Sequence, residues 1–109
     1  MRNLNEYQHS ARKTAVYPHE QGIIYTALGL NGETGEIAEK VKKVIRDRDG
    51  VFDKQAKIEM AKELGDVLWY VANMVHELGY ALDEIADINL EKLESRAERG
   101  KLKGEGDNR

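Results

Sequence analysis

Between Met60 and Val75 the chain is apolar on nearly every side of a helix, yet it carries Glu63-Leu64-Gly65-Asp66 in the middle. A helix turns about 100° per residue, so Glu63 and Asp66 stand one turn apart and roughly 60° apart around the axis, placed to hold one ion together. Glu59, Tyr70 and Asn73 share that narrow stripe, while Met60, Leu64, Val67, Leu68, Val71 and Met74 are among the residues that fill the rest. An apolar girth this wide exceeds the single stripe of a surface helix, so the segment is expected to be the central helix, its one polar seam facing a site. Ionised carboxylates near low-dielectric surroundings are costly unless a cation or hydrogen bonds compensate. The expectation is therefore a positive charge at this seam.

Glu33-Thr34-Gly35-Glu36 repeats the spelling: carboxylate, two residues, carboxylate, with Gly before the second acid. On its own helix the pair borders Leu30, Ile37, Val41, Val44 and Ile45, and Lys40 and Lys43 lie on the side of the acids. Two such helices packed antiparallel would bring four carboxylates together. That donor set suits a hard divalent cation such as Mg2+, which takes oxygen ligands, keeps several waters and shares its shell with substrate phosphates. Mn2+ is the expected substitute.

What the chain lacks narrows the chemistry. With 109 residues it is expected to form one domain, residues 1–99, followed by a polar, Gly-rich tail over residues 100–109. Its formal charge of −3 mixes both signs along the chain, which does not suggest the basic face of a nucleic-acid binder. The absence of Cys removes disulfides, thiolate catalysis and Cys-ligated zinc. The first residues do not resemble a signal peptide and no window approaches a membrane span, so a cytoplasmic protein is expected. No Gly-rich loop ends in Lys-Ser or Lys-Thr, so a phosphate-cradling loop is absent. A di-iron bundle needs two Glu-x-x-His motifs, and only Glu6-Tyr7-Gln8-His9 is present.

Helical periodicity runs throughout and no segment alternates with strand period, so the class is all-α. Asn3 or Asn5 can cap a first helix reaching about Val16, with Leu4, Tyr7, Ala11 and Ala15 inward, before Pro18. A second helix is expected from around Gln21 to about Arg48, where Asp47-Arg48-Asp49-Gly50 makes a turn. Asp53 can cap a third helix that reaches Leu78 and stops at Gly79. The fourth begins near Leu82 and runs to about Arg99, with Leu82, Ile85, Ala86, Leu90, Leu93 and Ala97 inward. Four such helices form a bundle-like protomer too small to hide the central one on all sides. A homo-oligomer, dimer or tetramer, is expected to cover it, with Trp69, opposite the carboxylate seam, in the core or at a subunit interface.

The two acidic tetrapeptides, extended as Glu33-Thr34-Gly35-Glu36-Ile37-Ala38-Glu39 and Glu63-Leu64-Gly65-Asp66-Val67-Leu68-Trp69-Tyr70, resemble the signature of the MazG-like all-α nucleoside triphosphate pyrophosphohydrolases. Asn89-Leu90-Glu91-Lys92-Leu93-Glu94-Ser95-Arg96 also resembles that family's third segment. The resemblance extends from about Leu28 to Arg96. It implies Mg2+-dependent hydrolysis of a nucleoside triphosphate between the α and β phosphates, giving monophosphate and pyrophosphate, with the metal held by Glu33, Glu36, Glu63 and Asp66. Such chemistry needs cations on phosphate oxygens and a positioned water, and Glu33 or Glu36 is the expected proton acceptor. Lys40 and Lys43 either neutralise the triphosphate or pair with Glu36 and Glu39 along their own helix. Asn73, Asn89, Lys92 and Arg96 are the other expected substrate contacts, the last three sharing one side of the fourth helix. Two non-enzymatic alternatives stand beside this reading: a helical interaction module and a nucleotide sensor that binds without turnover.

Overall fold

A computed structural model describes residues 2–109. Four α-helices follow one another, α1 (Leu4–Arg12), α2 (Gly22–Asp47), α3 (Lys54–Glu77) and α4 (Leu82–Glu98), with one 3-10 turn, His19–Gln21, ahead of α2. No strand occurs among the described residues.

Local chemistry sets most of the helix ends. The Asn3 side chain accepts from the Glu6 amide at 2.8 Å and donates to the Glu6 carboxylate at 2.6 Å, so both ends of the cap are satisfied at α1. Asp53 accepts from the Ala56 amide at 2.8 Å to start α3. Beyond Leu78 the chain leaves α3 through Gly79 at φ 85°, a conformation that costs glycine nothing. At α4 the cap position is Ala81, which has no side-chain acceptor. Helix α1 supplies what is missing: Gln8 Oε1 accepts from the Leu82 amide at 2.9 Å and Asn5 Oδ1 from the Asp83 amide at 3.0 Å. Gln8 is buried, and its amide nitrogen donates to the Tyr80 carbonyl at 3.1 Å.

Helix α1 is shorter than the sequence pattern predicts, ending at Arg12 rather than near Val16. Lys13, Thr14 and Ala15 continue as i to i−3 turns, which swing Ala15 and Tyr17 into buried positions and leave Val16 90 % exposed. Tertiary burial outweighs helix continuation here.

Helices α2 and α3 form a long antiparallel pair, joined through residues 48–53. Helix α3 touches all three others, as expected of a central helix, whereas α2 meets neither α1 nor α4. Ala11, Ala72, Val75 and Leu82 form the core at the junction of α1, α3 and α4, with Tyr7, Trp69, Val71 and Ile85 packed around it. Trp69 thus lies against the core, and its indole N–H donates to Thr14 Oγ1 at 2.8 Å. A polar knot closes the same end: Arg12 Nη1 donates to Tyr17 Oη at 2.6 Å and to Asn73 Oδ1 at 3.0 Å, and the Tyr17 hydroxyl donates to Glu77 at 2.9 Å. The Glu77 carboxylate occupies the space a Cβ would need at Gly22, the first residue of α2, where the helix dipole favours a negative charge.

The four helices do not close around one axis within a single chain. The start of α4 packs on the other helices, through Leu82 and Ile85. Leu90 and Leu93, expected inward, are exposed, as are Leu4 on α1 and Ile45 on α2. The radius of gyration is 16.8 Å, against about 13 Å for a compact chain of 100 residues.

Candidate metal centre

The α2–α3 pairing decides which acids meet. Glu33 from α2 and Glu63 and Asp66 from α3 each offer a carboxylate oxygen within 4.8 Å of the others'. Glu33 and Glu63 are half-buried and Asp66 is exposed, so the group opens to solvent on one side. Gly35 and Gly65 have no heavy atom within 4 Å of where a Cβ would stand, which leaves space beside the acids. Glu36, one turn further along α2, lies outside the converging group and is exposed; its charge is still felt at Glu33.

Burial raises the Glu33 pKa above the ordinary carboxylate value, and the charge of Asp66, a hydrogen bond with Glu63 and the charges of Glu63 and Glu36 push the same way. Lys40 Nζ lies 3.7 Å from Glu63 Oε1, a partial counter-charge from α2. Three hard oxygen donors with one lysine do not balance. Donor type, convergence and the open side all fit a hard divalent cation with room for water or phosphate oxygens.

Two tyrosines stand at the edge of the group. The Tyr7 hydroxyl is raised above its usual pKa, chiefly by burial and then by the charge of Asp66. Tyr70 is raised by burial, by Tyr25 and by the charges of Glu33 and Asp66. Its ring occupies the space beside Gly29, one turn before Glu33, where any Cβ would collide with it. The stripe on α3 places Tyr70 beside the acids, but nothing in the sequence says that the inward side of α1 brings Tyr7 to Asp66.

Beyond Lys40 a cleft of about 200 Å3 runs between the second half of α2 and the first half of α3, with Lys40, Lys43, Arg48 and Glu59 on its walls. The sequence pattern places Arg48 only in the turn after α2. Asn73 is fully buried, its oxygen bonded to Arg12 and its nitrogen donating to the Trp69 carbonyl at 3.0 Å, so its side chain faces the knot rather than the acids. Asn89 is exposed on α4. Lys92 and Arg96 are engaged by residues 106–107, and α4 makes no contact with α2. One chain therefore does not bring the three α4 residues to the carboxylates.

The model of the MazG nucleotide pyrophosphohydrolase domain matches residues 21–100, a span that contains all three converging acids and most of the chain. The chain belongs to the MazG family. The Gene 37 protein of Mycobacterium phage L5 is 46% identical over 113 aligned residues, covering 98% of this chain and 99% of that protein. No solved structure matches at a significant level. The MazG match covers α2, α3, α4 and the cleft, but α1, with Tyr7 and the residues that cap α4, lies outside it. No helix among the described residues is long and apolar enough to cross a membrane.

Proposed function

We propose that the protein hydrolyses a nucleoside triphosphate between the α and β phosphates, in the cytoplasm, releasing monophosphate and pyrophosphate. The observation that carries the reading is the convergence of Glu33, Glu63 and Asp66 in a chain of the MazG family. These three would hold Mg2+, or Mn2+ in its place, with Glu36, one turn along α2, as a fourth carboxylate. A hard cation bound there supplies charge neutralisation on the phosphate oxygens.

The chain's own groups do the remainder. Glu33 or Glu36 accepts the proton of the attacking water as its oxygen bonds to phosphorus. The phosphoanhydride bond breaks and its oxygen leaves on pyrophosphate. Lys40 and Lys43 line the adjoining cleft and offset the growing charge there. Asn89, Lys92 and Arg96, which a single chain does not bring to the carboxylates, bind phosphate or base from the α4 of a neighbouring copy. Asn73 supports the site from beneath, by holding Arg12 and α1 in place.

The protein acts as a homo-oligomer, dimer or tetramer. Ile24 and Leu28 on α2 and Leu64 and Leu68 on α3 are exposed in the single chain, and a second copy would cover them.

The test is turnover of a deoxynucleoside triphosphate panel with Mg2+ by wild type, Glu63→Gln and Asp66→Asn. Each variant is expected to lose activity by about 100-fold or more, and chelation of the metal to abolish it in wild type. Full activity in both variants would remove the carboxylates from the mechanism.

A further inference from the structure

Residues 100–109 fold back on the outer half of α4. Gly100, Gly104 and Gly106 all take positive φ, 68°, 127° and 85°, a conformation that glycine adopts readily. The Lys101 amide donates to the Arg96 carbonyl at 2.6 Å. Arg109 closes the loop from inside, its guanidinium donating to the carbonyls of Lys101 at 3.0 Å, Leu102 at 3.0 Å and Gly106 at 2.7 Å. This places the Asp107 carboxylate 3.1 Å from Lys92 Nζ and 3.6 Å from Arg96 Nη2.

The fit at Arg96 is incomplete. Arg96 is 4 % exposed. Its Nη2 donates to the Asp107 carbonyl at 2.6 Å and the Gly106 carbonyl at 3.3 Å, while its Nε is buried with no partner. Nε–H and Nη2–H form one edge of the guanidinium, a planar fork that matches two oxygens of a phosphate or carboxylate. The folded segment fills one tine and leaves the other empty, and an unmade hydrogen bond on a buried donor is costly. The Asp107 carboxylate is itself 84% exposed, so its hold on the pair is weak and screened by salt.

We propose that residues 100–109 are an intramolecular competitor for the substrate, with Asp107 standing where a phosphate of the triphosphate binds Lys92 and Arg96 once the segment lifts away. This rests on the reading of Lys92 and Arg96 as phosphate contacts. A phosphate presents oxygens to both Nε and Nη2 and to Lys92 at once, which the Asp107 side chain does not. The lowered pKa of Asp107, due first to its hydrogen bond with Lys92, is consistent with a carboxylate serving as the resident anion.

The experiment compares wild type, Asp107→Asn, a chain ending at Gly100, and Asp107→Asn combined with Lys92→Ala. Each is titrated calorimetrically with inorganic tripolyphosphate and assayed for KM and kcat on a deoxynucleoside triphosphate. Removing the carboxylate is expected to tighten tripolyphosphate binding and lower KM by about fivefold, the scale of one exposed ion pair, with kcat unchanged. Adding Lys92→Ala is expected to cancel the gain. Unchanged tripolyphosphate affinity in a folded Asp107→Asn protein would overturn the competitor, as would a gain that survives Lys92→Ala. Tighter tripolyphosphate binding with no turnover by any variant would keep the competitor and reject the hydrolase, so the two readings fail separately.

Discussion

Glu33 carries the electrostatic cost of the site. Its folded-state pKa is raised, by burial first and then by Asp66, Glu63 and Glu36, so the native chain binds that proton more tightly than the unfolded chain. The stability from this source is full below the unfolded value of roughly 4.3 and is lost as pH rises through the folded pKa. At pH 7.5 without metal, wild type therefore holds a repulsion that Glu33→Gln lacks. The variant is expected to melt at an equal or higher temperature there, and the two to converge near about pH 4. On the proposed metal site, Mg2+ added to the native state is expected to raise the wild-type melting temperature more than the variant's. Thermal melts at both pH values, with and without Mg2+, check each part; a variant less stable in metal-free buffer at pH 7.5 would argue for a salt-bridge role instead. Asn73 is a residue of the other kind. Both ends of its amide are bonded in a fully buried position, so Asn73→Ala is expected to cost about 1–3 kcal/mol by leaving Arg12 short of an acceptor. Chemical denaturation measures it, and a rise in KM with stability intact would show that the side chain meets substrate.

At the level of helices, the contact of Tyr70 with Gly29 sets the register of α2 against α3 and hence the meeting of Glu33 with Glu63 and Asp66. Gly29→Ala drives a methyl into the Tyr70 ring and is expected to destabilise the protein by about 1–3 kcal/mol. Gly32→Ala, with nothing within 4 Å, is expected to stabilise it by about 0.5–1 kcal/mol. Equal effects in denaturant melts would mean that the ring does not set the pairing. What the sequence makes legible follows the same division between local and distant causes. Helix α3 reads correctly at both ends because Asp53 and Gly79 act on adjacent backbone. The end of α1 does not, because the burial of Ala15 and Tyr17 depends on α2 and α3 being in place. That Glu63 and Asp66 share one side of α3 is legible because their spacing on the helix is itself local. That Glu33 joins them while Glu36 stands outside depends on how two helices cross, and no residue pattern within α2 encodes it. Asn73 belongs to the right stripe, but its partner Arg12 lies 61 residues away in sequence, and Arg96 turns toward residues 106–107 rather than toward the acids.

Across the whole molecule, the proposed oligomer rests on a radius of gyration well above that of a compact chain and on the exposed Ile24, Leu28, Leu64 and Leu68. Light scattering at micromolar concentration is expected to give more than one chain per particle, and Leu68→Asp to lower that mass. A stable wild-type monomer would leave the exposed Leu64 and Leu68 without a role. The central claim, however, is chemical: three carboxylates brought together by α2 and α3 direct water to one bond of a triphosphate. Chromatography of the products formed from deoxynucleoside triphosphates with Mg2+ tests it most directly. The account predicts monophosphate and pyrophosphate in equal amounts, whereas diphosphate with orthophosphate, or intact substrate after prolonged incubation with every nucleotide, would contradict it.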